Sequence, residues 1–143
     1  MIVDINTLDV AEMGGGMSVT FPFSSATGMA ASAAVYIVLE PGGVVPEHTD
    51  SAEEWLLVLE GTVEATVDGQ TVTLTEGQLG WVPAIAPHSA VNTGDGTARI
   101  LGFFAASTNV SHFTEALGPD GPQTLVVGAQ PGIVLPVAEP VAA

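Results

Sequence analysis

The stretch that decides the fold is Gly42-Gly43-Val44-Val45-Pro46-Glu47-His48-Thr49-Asp50-Ser51-Ala52-Glu53-Glu54-Trp55, continued by Leu56-Leu57-Val58-Leu59-Glu60-Gly61. It places a histidine among carboxylates, between two segments of strand character. The chain has only 3 histidines, and a second, His88, stands at a later strand-like run after Pro83 and Pro87. Alternate residues of a strand face the same side, so His48 and Asp50 share a face. Glu54, Leu56 and Val58 share one face of the next strand, and Trp55, Leu57 and Leu59 share the other. With Glu54 turned inward above Leu56 and Val58, a carboxylate sits among apolar neighbours. An ion there is costly unless it is paired or ligates a metal. Imidazole and carboxylate together inside β-structure form a donor set for zinc or a mid-row transition metal.

Outward from this stretch, β-type runs recur. Met17 to Phe23 alternates, and Ala33 to Glu40 is rich in Val, Ile and Tyr. Thr62 to Val67 and Thr71 to Thr75 flank Asp68-Gly69, a strong two-residue hairpin signal. Gln78 to Val82, Ser89 to Thr93 and Thr97 to Ala105 follow, with Gly or Pro at nearly every join. This spacing predicts an all-β sandwich or barrel. One short helix is expected over Val110 to Leu117, with Asn109 or Ser111 as cap and Gly118-Pro119 as stop. The tail carries two apolar runs, Leu125-Val126-Val127 and Ile133-Val134-Leu135, suited to an edge strand or to wrapping over a partner subunit. No repeat or domain boundary is visible, and the 143 residues read as one domain, 1–143.

Composition excludes several functions. Apolar residues make up 47% of the chain, which rules out a disordered polymer. There are 16 acidic residues against one cation, Arg99, for a net charge of −15. Nucleic acid and anionic membranes both require clusters of cations that this chain lacks. No apolar run approaches the ~20 residues of a membrane helix. Met1-Ile2-Val3-Asp4-Ile5 lacks the basic start of a secretory signal, so a cytoplasmic protein is expected. With no cysteine there are no disulfides and no thiolate ligands. A polyanionic substrate would have little to hold it, and a largely neutral small molecule is the easier ligand.

The spacing of these residues resembles the cupin superfamily. Its first motif runs Gly, five residues, His-x-His, three or four residues, Glu, six residues, Gly. Gly42, His48, Asp50, Glu54 and Gly61 match each element, except that Asp50 stands where the second His is usual. The second motif runs Gly, five residues, Pro-x-Gly, two residues, His, three residues, Asn. Gly77, Pro83, His88 and Asn92 match it, with Ile85 in place of the middle Gly. The motif core is therefore 42–92, with helix and tail over 106–143. The resemblance implies a single-domain jelly-roll barrel holding one divalent ion (Fe, Mn, Ni or Zn) on His48, Glu54 and His88. Asp50 either joins as a direct ligand, acts through water from behind the ligands, or marks a site that has lost its metal. A two-His-one-carboxylate set with open positions is the pattern of oxygen-using iron sites.

Other residues read more plainly. Glu47 is out of phase with His48 and faces solvent. Asn92 orders the turn before Thr93-Gly94-Asp95-Gly96. His112 and Arg99 read as surface residues. Glu54 beside Glu53 has an alternative reading as a solvated pair, and a lone His after a Pro is commonly structural. Candidate pocket residues are Tyr36, Val38, Leu56, Val58, Trp81, Ala90, Leu101 and Phe103, subject to a one-residue register step. Such an apolar lining suits an aromatic or aliphatic molecule. The segment Phe103-Phe104-Ala105-Ala106-Ser107 and the tail resemble small bacterial cupins of the quercetin-dioxygenase-like group. That resemblance implies an oxygenase with Glu54 or Asp50 as catalytic base. A redox-neutral isomerase, cyclase or lyase and a non-catalytic binding module remain as alternatives. Exposed sheet edges and the apolar tail predict a homodimer with terminal segments at its interface.

Overall fold

The computed structural model describes residues 1–128 and Val141, so the run Ile133-Val134-Leu135 lies outside the described residues. The strands are β1 (Ala11–Gly14), β2 (Met17–Phe23), β3 (Ala33–Leu39), β4 (Val44–Asp50), β5 (Glu54–Glu60) and β6 (Thr62–Val67). They continue with β7 (Gln70–Thr75), β8 (Leu79–Val82), β9 (His88–Asn92), β10 (Ala98–Phe104), β11 (Asn109–Phe113) and β12 (Thr124–Val127). They form two 6-stranded sheets, ordered β1-β2-β3-β10-β5-β8 and β12-β11-β4-β9-β6-β7. Every described pairing is antiparallel. The two sheets face each other as a jelly roll, with Leu39, Val58, Val63, Ile100, Phe104, Phe113 and Val127 buried between them.

Local chemistry sets the joins. Asp68 and Gly69 both take positive φ, 48° and 76°, the conformation a two-residue turn between β6 and β7 demands. Gly61 takes φ +87° between β5 and β6, and a Cβ there would lie 2.9 Å from the Thr97 carbonyl oxygen. The motif glycine is therefore required by both backbone conformation and close approach. A register shift in β4 against β9 falls between Val45 and His48, across Pro46. It changes the strand's phase, so that Val45 packs in the core while His48 and Asp50 also point inward.

The helix expected over Val110 to Leu117 is corrected to a strand. Residues 109–113 alternate buried and exposed, and β11 pairs with β4 on one side and β12 on the other. The alternating side chains bury one face in the sandwich, and Asn109 and Ser111 bond across strands instead of capping a helix. Among the described residues the only helical element is a three-residue 3-10 turn, Ser25–Thr27, capped by Ser24. No helix there is long and apolar enough to cross a membrane. Leu125-Val126-Val127 falls in β12, at the edge of the second sheet.

Candidate metal centre

Three neighbouring strands of the second sheet build the centre. His48 on β4 is in register with His88 on β9, and Phe113 on β11 is in register with His48. Cross-strand partners on one face lie side by side. The two imidazole centroids are accordingly 4.1 Å apart, and the Phe113 ring stacks on His48 at 4.7 Å. Asp50, two residues along β4, presents its carboxylate to the same space. Glu54 enters from β5 in the opposite sheet, so the site bridges the two sheets.

Each imidazole is oriented by its own backbone. The Nδ1 atom of His48 donates to the Pro46 carbonyl at 2.8 Å, and that of His88 to the Ala86 carbonyl at 2.9 Å. A carbonyl only accepts, so the Nε2 atoms are turned inward as ligand positions. Asp50 Oδ2 lies 3.2 Å from His88 Nε2 and 3.5 Å from His48 Nε2. The donor atoms of His48, Asp50 and His88 all lie within 4.8 Å of one another. Glu54 Oε2 stands to one side, 3.5 Å from His88 Nε2. Asp50 Oδ2 and His88 Nε2 are buried with no hydrogen-bond partner beyond their ion-pair contacts within this cluster. Such orphans are costly unless something fills the gap. Inward imidazole nitrogens with one or two carboxylate oxygens fit a divalent transition metal.

The electrostatics agree with the geometry. Burial disfavours the Asp50 carboxylate, but His48, His88 and Ser111 overcome this and hold it well below the usual carboxylate range. Burial pushes the Glu54 carboxyl upward; His88 pulls it down, and the Asp50 charge adds to the rise. For His88, burial opposes the imidazolium, yet the Asp50 and Glu54 carboxylates win and raise its pKa to about 10. Without metal, the two carboxylates therefore favour the protonated form of His88. A metal ion on Nε2 displaces that proton. Metal uptake at pH 7 is expected to release protons, with apparent affinity rising as pH rises toward about 10. Each displaced proton contributes about tenfold per pH unit. Calorimetry in buffers of different ionisation enthalpy checks this, and a buffer-independent heat would contradict it.

Behind the site lies a cavity of about 80 Å³ between the sheets. Leu56 and Ala90 line it, with Met13, Phe21, Val35 and Phe104 among its other walls. Four residues placed in the pocket by sequence are corrected: Tyr36, Val38, Trp81 and Phe103 lie on the outer sheet face, as does Leu101, with Tyr36 buried there against Arg99. Their register partners show why. Tyr36 is opposite Leu101, Leu101 opposite Leu57, and Leu57 opposite Leu79, one continuous outer row. Phe103, Trp55 and Trp81 form a second row, with the Trp55 and Phe103 rings stacked at 4.4 Å. The inner rows are one residue out of step. Val58 faces inward but belongs to the packed core and does not line the cavity. Sheet-face assignment by one residue was the open register choice, and here the odd-numbered residues of β3 point in.

Arg99 is on the outer face as well, its Nε donating to the Tyr36 hydroxyl at 2.6 Å and its Nη2 to Asn6 at 3.0 Å. Asn92 is structural: it donates to the Leu39, Glu40 and Gly96 carbonyls and accepts from the Gly94 amide. His112 is exposed on β11, beside Thr124. Glu47 is exposed and accepts from the Thr114 hydroxyl.

Sequence reasoning missed three residues of the centre. Asn109 and Ser111 both donate to Asp50 Oδ1. Gly102 faces inward on β10, where a Cβ would lie 2.6 Å from Glu54 Oε1. Its missing side chain makes room for that carboxylate. A glycine inside the strand pattern Ala98 to Phe104 was the available signal, since such a glycine often marks close approach.

The family model for the cupin domain matches residues 35–104. Mannose-1-phosphate guanylyltransferase of Klebsiella pneumoniae is 40% identical over 60 residues, covering 41% of this chain and 12% of that protein. Polyketide synthase CurC of Streptomyces cyaneus is 28% identical over 101 residues, covering 70% of this chain and 66% of that protein. The matched region is thus less than two thirds of either relative's length. Oxalate decarboxylase of Lactobacillus farciminis, solved as a formate complex, superposes with a TM-score of 0.65 at 23% identity, over 72% of this chain and 32% of that one. The chain carries a cupin domain over residues 35–104, and its jelly roll is the fold it shares with that solved structure.

Proposed function

We propose that the protein is a metal-dependent cupin enzyme acting on a small, largely neutral organic molecule, with oxygenase chemistry. The observation that carries this is a buried donor cluster of His48, Asp50 and His88, beside Glu54, opening on an apolar cavity. A divalent metal held there supplies Lewis-acid and oxygen-binding chemistry. The chain's own residues do the rest. Leu56, Ala90 and Phe104 exclude water and hold an apolar substrate, or one end of a longer one. Glu54, its proton affinity raised by burial, accepts a proton from a substrate hydroxyl or activated C–H at Oε2.

Oxygen uptake with candidate phenols and enolisable ketones tests this reading. Metal-dependent O₂ consumption with incorporation of labelled oxygen is expected. Full turnover under strict anaerobiosis would favour the second reading, a redox-neutral cyclase, isomerase or lyase. The likeness to polyketide synthase CurC supports that alternative, with a polyketide-type substrate. Binding without turnover would leave a non-catalytic module.

A homodimer belongs to this proposal, now resting on the outer sheet face. Trp81 and Leu79 are each 64% exposed and continue the two outer apolar rows. Contiguous apolar patches of this kind mark interfaces, and two-fold dimers are the commonest closed assembly. Light scattering at micromolar concentration is expected to give twice the chain mass, and Trp81→Glu to shift it toward one chain. Added salt should tighten the pair, because each chain carries −15. A single-chain mass for the unaltered protein would contradict it.

A further inference from the structure

Asp50 is the one position where the first motif departs from the superfamily pattern, and its surroundings are built for a carboxylate. Ser111 is in register with Asp50 across β4 and β11. Its hydroxyl donates to Asp50 Oδ1 at 2.5 Å. The Asn109 amide, two residues earlier on the same face, donates from Nδ2 to the same oxygen at 2.9 Å and to Ser111 Oγ at 3.1 Å. The amide's orientation is fixed from its other end. Asn109 Oδ1 accepts from the Ala52 amide at 3.0 Å and from the Ser51 hydroxyl at 3.3 Å. A flipped amide would set Nδ2 against those two donors. The backbone carbonyl of Asp50 is also held, by the Ile85 amide at 2.8 Å.

The two carboxylate oxygens are thus treated differently. Oδ1 takes two donors, while Oδ2, equally buried, takes none and points between the two inward imidazole nitrogens. Without the cradle the short side chain has rotamers that turn both oxygens away. An imidazole at position 50 would leave the Ser111 hydroxyl and Asn109 amide with at most one acceptor nitrogen between them. We infer that Asn109 and Ser111 are positioning residues that hold Asp50 as a one-oxygen metal ligand. They adapt this cupin centre to a carboxylate where the motif carries imidazole. The inference rests on the metal reading above and deepens it. Replacing an imidazole by a carboxylate oxygen shifts preference toward Mn(II) and Fe(II), and away from Cu(II).

The test measures metal affinity in the absence of substrate. Mn(II) binding to the full chain is titrated by chelator competition, and its electron paramagnetic resonance spectrum recorded. Variants are Ser111→Ala, Ser111→Thr, Asn109→Ala and Asp50→Ala, with Ser111→Ala also made in the Asp50→Ala background. Ser111→Ala and Asn109→Ala are each expected to weaken Mn(II) binding about 10–100-fold, as partners behind a metal ligand do. Both should change the Mn(II) spectrum. Ser111→Thr, which keeps the hydroxyl, should retain most of the affinity. In the Asp50→Ala background Ser111→Ala should have no further effect. A loss of the same size there would assign Ser111 a merely structural role and overturn the inference. Unchanged Mn(II) affinity in Ser111→Ala would overturn it too, even if Asn109→Ala fails to fold. If the unaltered protein binds no Mn(II), Fe(II), Co(II) or Zn(II), the metal reading itself fails, and this inference with it.

Discussion

Replacing His88 with alanine is expected to weaken divalent-metal affinity by more than the ~10–100-fold typical of a partner behind the ligands. The size follows from what His88 does. Its Nε2 faces both carboxylates, 3.2 Å from Asp50 and 3.5 Å from Glu54. Without the imidazole, Asp50 and Glu54 are left as buried carboxylates with His48 as the one remaining nitrogen donor. His48→Ala should lose metal comparably and also leave Phe113 unstacked. Elemental analysis of the three purified proteins checks both. One ion per chain is expected in the unaltered protein and substantially less in each variant. Equal, negligible metal in all three would end the ligand reading.

Glu54→Gln is expected to separate chemistry from metal binding. Glutamine keeps the shape over Gly102 but cannot accept a proton as a carboxylate does. General-base catalysis contributes about 10²–10⁴-fold, and turnover should fall by that order. Metal affinity should fall less than in His88→Ala, because Glu54 stands beside the three-donor cluster of His48, Asp50 and His88. Steady-state oxygen uptake and metal titration on the same preparation measure the two effects. Turnover unaffected by the change would move the catalytic base to Asp50 or to water.

The strands were legible because their signals are local. Asp68-Gly69 fixes one hairpin by its positive φ values, and Val, Ile and Tyr between Ala33 and Leu39 suit a buried strand. His48, Asp50, Glu54 and His88 were legible as a group because strand alternation and motif spacing both point them inward. The segment from Asn109 to Phe113 was not. Five residues hold too few turns to separate a helical from an alternating pattern, and the decision came from pairing with β4 and β12. The outward rows of Tyr36, Phe103 and Trp81 failed for a related reason. A strand apolar on both faces carries no periodicity to say which face is the core.

Residue order is enough to specify an all-β chain without cations for nucleic acid, and a histidine–carboxylate set at cupin spacing. Those properties reside in residue type and interval, which the chain carries before it folds. Folding in three dimensions is what turns one oxygen of Asp50 toward the imidazoles and lays Glu54 over the bare backbone of Gly102. Both depend on residues about fifty or more positions away, from Asp50 to Ser111 and from Glu54 to Gly102. Such contacts come from the register between strands: a glycine within the β10 pattern marks a close approach, but no local pattern names the partner.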